Sequence, residues 1–273
     1  GPPISQPLKD IWRLFQKGVV YSETSSIIFR IAPTIYFTSV LTAMLVVPFA
    51  GHPGFLSFAG DFVFFAYILA LGKFLMIISA MDTGSSFEGM GASREALYSL
   101  LAEPAFFILM GSFALFTGYT SFHEIFQQLH FESYTSYTLG ALATFIFIII
   151  AMIENSRMPI DDPKTHLELT MVHEVMVLDN SGFDLGLIHQ TTNLKFAIYG
   201  ALIANIFIAP AVAWYYAIPL FLTTQIAFAF VAAAIESFMA RFRMNHNSQF
   251  IVSLTSISLL VFLGVIIMIA KLS

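Results

Sequence analysis

Cysteine is absent from the chain, and charged residues are scarce. Without cysteine the chain can form no disulfide, and it cannot itself hold an iron–sulfur cluster or a cysteine-ligated metal. Only 11% of the 273 residues are charged, whereas a soluble domain carries about 25%. A chain that is 58% hydrophobic cannot cover itself with polar surface, and it is not disordered either, because disorder requires few apolar residues. The composition therefore predicts an integral membrane protein.

The chain also lacks an excess of basic residues and any complete catalytic or metal-binding motif. Its formal net charge is −5, which gives no electrostatic reason to expect nucleic acid as a partner. His173 and Glu174 open like a zinc-protease helix, but Val177 stands where the second histidine is required, so no metal site is expected. The run GMGAS at 89–93 lacks the third glycine of a dinucleotide fingerprint and predicts a tight loop, with Ser93 capping the helix that follows. The chain alone is not expected to be a complete enzyme.

Long apolar runs take up most of the sequence. A bilayer core about 30 Å thick needs about 20 apolar residues per helix, and these runs are far longer than the roughly 10-residue strands of membrane barrels. We predict an all-α, polytopic membrane helix bundle in which residues 1–273 form a single integral membrane domain. The seven predicted transmembrane helices are 27–49, 61–81, 95–118, 136–154, 190–209, 213–239 and 248–270.

Lysine and arginine are distributed unevenly between the two sides of this bundle. Nine of them lie on the side of residue 1, whereas the loops predicted on the other side, 50–60, 119–135 and 210–212, contain none. Lys271, near the end of the chain, is the one basic residue predicted on that second side. Cytoplasmic loops carry the excess of basic residues. We therefore predict that the residue-1 end faces the cytoplasm and the C-terminus faces outward, in the inner (cytoplasmic) membrane of a cell.

Residues 4–17 differ from the rest of the chain. Apolar side chains recur there at helical spacing on one face, and charged or polar side chains take the other face. This pattern predicts an amphipathic helix that lies in the cytoplasmic interface of the membrane. The alternative is a surface helix that packs on a partner protein. A shorter stretch of the same kind is predicted at 122–130.

The segment from Glu154 to Asp184 carries seven carboxylates and two basic residues, so that its net charge equals that of the whole chain. We predict an acidic cytoplasmic loop over 154–189, of which roughly 164–178 can form a helix. A connection this long between two membrane spans is unusual and is often functional. The alternative is an ordinary solvated loop.

Several ionisable residues fall inside or near the ends of the predicted spans. Each costs about 2.5–3.5 kcal/mol at the centre of a membrane helix, although a residue near a helix end can reach the interface, as is expected of Lys195. Their usual role is to line an ion or proton path inside the bundle. The alternative is a set of buried ion pairs that fix helix packing. The residues are Lys73, Asp82, Glu103, Glu154, Lys195 and Glu236.

Several stretches of the sequence resemble one family of membrane subunits. The run IENSRMPIDDPKTHLELTMVHEVMVLDNSG at 153–182 is similar to the cytoplasmic loop of the complex I subunit, of the NADH dehydrogenase subunit 1 type, that joins the peripheral arm to the membrane arm. The run MDTGSSFEGMGASRE at 81–95 resembles the form found in group 4 energy-converting NiFe-hydrogenases and formate hydrogenlyase. The same branch is indicated by LAEPAFF at 101–107 and IESFMARFR at 235–243. The opening GPPISQPLKDIWRLF resembles the first cytoplasmic loop of the family and its amphipathic helix.

The resemblance implies eight transmembrane helices, of which the first precedes the Gly-Pro loop and is expected to be missing here through truncation, deletion or disorder. It implies a subunit with no cofactor of its own, beside partner subunits that carry iron–sulfur clusters and a NiFe centre. The expected partners are hydrogenase-like or quinone-reductase-like peripheral subunits, antiporter-like membrane subunits and membrane lipid. Residues implied in a proton path are Glu103, Glu154, Asp161, Asp162, Glu168, Glu174, Asp179, Glu236, Lys73 and Asp82. Residues implied in docking of the peripheral arm are Arg94, Arg157, Lys164, Arg241 and Arg243.

The leading hypothesis is a non-catalytic coupling subunit, which docks the peripheral redox arm and links electron transfer to translocation of protons or sodium ions. Three alternatives stay open at this point. The chain could instead form part of a quinone chamber, act as an independent secondary transporter, or serve as a passive membrane anchor. Hydrogen, formate, ferredoxin and quinone all remain open as electron donors or acceptors.

Overall fold

The computed structural model describes residues 3, 5–22, 25–49, 51–129, 134–161, 171–208, 212–239 and 244–272. Within these residues the chain forms ten helices and no strand, which confirms the all-α, polytopic class. In chain order the helices are α1 Gln6–Phe15, α2 Ile27–Val46, α3 Asp61–Asp82, α4 Ser86–Thr117, α5 Phe122–Gln128, α6 Tyr134–Glu154, α7 His173–Met176, α8 Gly182–Phe207, α9 Trp214–Phe238 and α10 Met244–Leu272.

Six of these helices are long and apolar enough to cross a membrane: α2, α3, α4, α6, α9 and α10. The predicted count of seven is one too high by this measure. The predicted span 190–209 falls largely inside α8, which begins eight residues earlier, at Gly182. The first half of α8 contains Asp184 and His189, and Lys195 follows, so α8 is not among the helices that are apolar enough by this measure.

Helix α8 nevertheless runs from one end of the bundle to the other. At its start, Gly182 lies against the carbonyl of Gly18, just after α1. Near its other end, the side-chain amide of Asn205 donates to the carbonyl oxygen of Pro48, just beyond α2, at 2.7 Å. We name the two ends of the bundle the α1 end and the α5 end. Most of α8 is buried, and the helix packs against α2, α6 and α9. Its polar residues Asp184, Lys195 and Asn205 are among the buried ones.

Helix α1 lies across the beginning of α8. The rings of Phe15 and Phe183 meet edge to face at 5.5 Å, and Gly186 leaves room for the side chains of α1. Leu8 and Trp12, one helical turn apart, remain 74% and 66% exposed. The apolar stripe that the sequence places on this helix is therefore only partly covered by the chain itself.

Helix α4 begins nine residues before the predicted span. The prediction of a tight loop at 89–93 is wrong, because these residues belong to a continuous helix and Ser93 donates to the carbonyl of Met90 within it. The glycine at position 91 serves packing: a Cβ there would lie 2.7 Å from the backbone nitrogen of Met176 and 2.8 Å from the carbonyl of Val172. Only glycine lets the short helix α7 approach α4 so closely.

Candidate functional site

Four charged side chains from four helices meet inside the bundle. Lys73 of α3 lies 3.0 Å from Glu95 of α4 and 3.0 Å from Glu154 at the end of α6. The Glu154 carboxylate also lies 2.7 Å from Lys195 of α8, whose side chain is 1% exposed. We call these four residues the central cluster. Its formal charges cancel, which is what a low-dielectric interior requires of buried ions.

Each ammonium group of the central cluster has three acceptors. Lys73 reaches both carboxylates and the hydroxyl of Ser99, at 2.8 Å. Lys195 reaches the carboxylate and the backbone carbonyl of Glu154, and the hydroxyl of Tyr36 at 3.4 Å. An ammonium has three N–H donors. Both lysines are therefore satisfied inside the protein, and neither needs to reach water.

Local sequence explains how these side chains meet. Gly72 precedes Lys73, and a Cβ there would overlap the hydroxyl oxygen of Ser39. Helices α2 and α3 therefore approach closely at this level. On α4, Glu95, Ser99 and Glu103 are four residues apart, so they share one face of the helix.

A cavity of about 40 Å³ adjoins the central cluster. That volume exceeds the space of about 10–15 Å³ that one water molecule needs. Its polar wall consists of Lys73, Ser99, Glu103, Glu154 and Tyr199, and the rest is apolar. Glu103 stands at the outer wall, exposed on the side of the bundle and without an ion pair to any described residue. The cavity thus extends from the central cluster toward the surface of α4.

A larger cavity of about 370 Å³ lies at the α1 end, and we call it the polar chamber. The guanidinium of Arg157 pairs there with Glu236 at 2.9 Å and lies 4.7 Å from the ring centre of Phe196. Burial raises the pKa of the Glu174 carboxyl, and the neighbouring Asp161 acts in the same direction. The described residues that line the chamber are Asn155, Ser156, Arg157, Met158, Asp161, His173, Glu174, His189, Thr192 and Glu236.

Helix α7 is held beside the polar chamber by side chains that bind its backbone. The carboxylate of Asp161 accepts hydrogen bonds from the backbone N–H groups of Val172 and His173, at 3.1 and 3.0 Å. The guanidinium of Arg94 donates to the carbonyl of Met171 at 3.1 Å. These contacts fix both α7 and the side chains that it carries.

The residues predicted from the sequence fall into separate groups. Lys73 and Glu154 belong to the central cluster, and Glu103 opens onto the same small cavity. Four further residues line the polar chamber: Asp161, Glu174, Glu236 and Arg157.

Three other predicted residues take part in contacts with backbone. Asp82 accepts the N–H of Ser26 ahead of α2, at 2.7 Å, and the N–H of Asp179 donates to Glu88 at 2.8 Å. Arg94, predicted to dock the peripheral arm, binds the backbone of its own chain just before α7. The remaining predicted residues lie outside the described part of the chain: Asp162, Lys164, Glu168, Arg241 and Arg243.

Sequence reasoning missed Glu95 and misjudged Lys195. Glu95 is the first residue of a predicted span, which would make it interfacial, whereas α4 begins at Ser86 and places Glu95 well inside the bundle. Lys195 is expected from the sequence to reach the membrane surface, but Glu154 holds it in the interior. The four-residue spacing of Glu95, Ser99 and Glu103 is the signal that could have identified the polar face of α4.

A sequence model of the NADH dehydrogenase family matches residues 1–268. The chain belongs to this family. Hydrogenase-4 component C of Escherichia coli (strain K12) is 30% identical over 208 residues, which are 76% of this chain and 65% of the relative. Formate hydrogenlyase subunit 4 of the same organism is 27% identical, over 76% of this chain and 67% of its own length. The chain thus spans about two thirds of the length of these two curated relatives.

A solved chain from the membrane-bound sulfane sulfur reductase, an archaeal respiratory membrane complex, superposes on this family member with a TM-score of 0.79. It is 21% identical, and the match covers 97% of this chain and 88% of that one. At this identity the likeness shows a shared fold. The family expected from the sequence is confirmed by the sequence model and by the two curated relatives.

Proposed function

We propose that this chain is the membrane coupling subunit of a complex I-like or energy-converting hydrogenase complex. It docks a peripheral redox arm and links electron transfer there to translocation of protons, or of sodium ions, across the membrane. The central cluster carries this proposal, because three buried charges and the largely buried carboxylate of Glu154 lie between a polar chamber at one end of the bundle and an exposed carboxyl on its side. Buried ionisable groups inside a membrane bundle usually mark an ion or proton path.

The redox chemistry in this proposal belongs to partner subunits. A chain without cysteine cannot bind iron–sulfur clusters through thiolates, so the clusters, and a NiFe centre where the partner is a hydrogenase, lie on the peripheral arm. Of the ten described residues that line the polar chamber, only Met158 has an apolar side chain. These polar groups can hydrogen-bond water inside the chamber, which is what a proton path requires.

The α1 end faces the cytoplasm in this proposal, and the peripheral arm binds there. The predicted loops at the α5 end contain no lysine or arginine, whereas Lys9, Arg13 and Arg157 belong to the α1 end. This distribution is typical of outer and cytoplasmic surfaces, respectively. Helix α8, which reaches both ends, supplies a seventh crossing, so that α10 ends on the outer side of the cytoplasmic membrane.

Coupling in this scheme depends on Glu154, because its carboxylate is shared between two lysines. The strength with which a carboxylate holds a proton depends on how close its cationic partners are. A displacement of α8 would change the distance from Lys195 to Glu154, and with it the charge balance of the central cluster. Two states with different proton affinity are what energetic coupling requires.

Glu103 is the proposed point of transfer to a membrane partner. It stands exposed near the middle of α4, where a charged carboxylate facing lipid would cost about 2.5–3.5 kcal/mol. An antiporter-like membrane subunit that covers this face would remove that cost and receive the ion.

The test replaces Glu103 with Gln in the intact complex, reconstituted in proteoliposomes. Because Glu103 has no ion pair among the described residues, the change leaves no buried charge uncompensated. We expect unchanged redox turnover and a marked loss of ions moved per electron, for either ion. The matched control is Glu124→Gln, which neutralises an exposed carboxylate on α5.

A second arm tests the central cluster itself. The double variant Glu154→Gln with Lys195→Gln removes one charge of each sign, so the cluster stays neutral and the complex is expected to assemble. Ion translocation should fall while redox turnover continues. Normal acidification by both the Glu103 variant and the double variant would contradict the proposed path.

A further inference from the structure

His173 lies between the polar chamber and the central cluster. Its side chain lines the chamber, and both ring nitrogens are inaccessible to solvent. Neither nitrogen forms a hydrogen bond within the described part of the chain. Among the charges that act on the ring, that of Glu95 in the central cluster is the strongest. The imidazole therefore lies between the polar chamber and the central cluster, and it forms no hydrogen bond to the described residues of either.

Helix α7 holds the ring in this place through its backbone. Val172 and Met176 flank Gly91 of α4, and Gly91 is one helical turn before Glu95. His173 follows Val172, and its own N–H is bound by Asp161 at 3.0 Å. The ring is thus fixed near the polar face of α4 that continues into the central cluster.

We propose that His173 carries protons from the polar chamber to Glu95, a step that rests on the proposed function and deepens it. A proton arriving from the chamber binds one ring nitrogen, and the proton on the other nitrogen leaves toward the Glu95 carboxylate. The ring is neutral before and after the transfer, and only its tautomer changes until it resets. An imidazole can relay a proton in this way but cannot pass a sodium ion. The ion that enters along this route is therefore H⁺.

The electrostatic surroundings suit such a relay. Burial lowers the pKa of His173 to about 4, so the ring is neutral at pH 7. A neutral imidazole offers one donor and one acceptor, whereas the protonated ring offers two donors and cannot accept. Six titratable groups surround the ring, on its own segment and on the elements packed against it. They are Glu95, Lys73, Lys195, His189, Asp161 and Glu174.

The test uses the intact complex in proteoliposomes and measures protons moved per electron. His173→Gln keeps a polar side chain that can donate and accept hydrogen bonds but cannot transfer a proton under these conditions. We expect this variant to retain redox turnover and to lose about a hundredfold or more in proton transfer, the scale of a missing acid–base group. The matched control is His246→Gln, at an exposed position on α10.

Chemical rescue separates a relay from a structural role. In His173→Ala, added imidazole can enter the space left beside the polar chamber, and we expect it to restore proton transfer in a dose-dependent way. An assembled Ala variant that imidazole does not rescue, or a Gln variant that pumps normally, would overturn the proposal for His173.

The Glu103 and His173 variants together distinguish a failure of the His173 route from a failure of the proposed function. If Glu103→Gln loses ion translocation while His173→Gln pumps normally, the coupling role stands and the His173 route is wrong. Uptake of radioactive sodium that persists in His173→Gln and tracks electron transfer would likewise exclude this route. Normal translocation in all of these variants would remove both proposals.

Discussion

The central cluster and the polar chamber are neighbours, yet they hold titratable side chains in opposite ways. In the central cluster every charge has a partner at 2.7–3.0 Å, and the lysines are satisfied by three acceptors each. In the polar chamber, only Arg157 and Glu236 form an ion pair among the described lining residues. Burial raises the pKa of Glu174 and lowers that of His173, so both residues favour their neutral forms. In the central cluster ion pairs stabilise charged side chains, whereas in the polar chamber burial favours the neutral forms of Glu174 and His173.

The largest expected effect comes from breaking the central cluster. Lys195→Met leaves Glu154 with one partner and gives the cluster a net negative charge. Removing one partner of a buried ion pair costs about 3–5 kcal/mol, so the variant should assemble poorly or unfold at a much lower temperature in mild detergent. Adding Glu154→Gln restores neutrality and should recover part of this loss. A single variant as stable as the unmodified protein would show that the pairing is not required.

The second effect concerns pH and the polar chamber. The ordinary pKa of histidine is about 6.5, and that of His173 is lowered to about 4. Between these values the unfolded chain binds a proton that the folded chain does not, so the free energy of unfolding falls as the pH drops. The slope is at most about 1.4 kcal/mol per pH unit. Stability present above pH ~6.5 is therefore lost progressively toward pH ~4.

This contribution is isolated by comparison with His173→Gln. The raised pKa of Glu174 works in the opposite sense, because its neutral form is favoured in the folded protein and stability from it is lost as the pH rises. Glu174 is present in both proteins, so its effect cancels in the difference. The midpoint of thermal unfolding, measured from pH 7 to pH 4, should fall less in the variant. Parallel curves would contradict a neutral, buried ring.

The third effect concerns the packing of α7 against α4 at Gly91, between the polar chamber and the central cluster. In Gly91→Ala the new methyl group would lie 2.7 Å from the backbone of Met176, so α7 must shift. Overpacking of this kind costs about 1–3 kcal/mol. Gly89→Ala is the matched control, because nothing lies within 4 Å of its Cβ position, and replacing a helical glycine there should stabilise the protein by about 0.5–1 kcal/mol. Equal stability of the two variants would mean that α7 does not depend on this contact.

The sequence predicted the elements that follow from periodicity and apolar length. Six of the predicted spans correspond to apolar helices, and an amphipathic pattern before them is a helix, Gln6–Phe15. The seventh predicted span lies in α8, which is less apolar than a membrane span should be. Its first half is polar, and other helices bury it. Hydropathy cannot distinguish a helix shielded by protein from one that lies outside the membrane.

The site was predicted in part, for a similar reason. Lys73 and Glu154 stand out because each is costly in lipid, and they do meet. Their closest partners, Glu95 and Lys195, are harder to recognise because both lie near the ends of predicted spans. Pairing depends on which helices are adjacent and on where each begins. An isolated sequence determines neither, and the error of nine residues at the start of α4 was enough to hide Glu95.

The smallest expected effect on stability comes from breaking the ion pair of the polar chamber. Among the described lining residues, Arg157 and Glu236 form the one ion pair. Glu236 and Arg157 are 32% and 36% exposed, so water screens their attraction, and exposed pairs contribute about 0–1 kcal/mol. Glu236→Gln should therefore lower the unfolding midpoint only slightly, and raised salt should reduce the difference between variant and unmodified protein. Arg157 keeps its contact with the ring of Phe196 in this variant. A loss as large as that of Lys195→Met would mean that the chamber, in the assembled complex, is as dry as the central cluster. The central cluster and the polar chamber would then not differ in how strongly their ion pairs stabilise the protein.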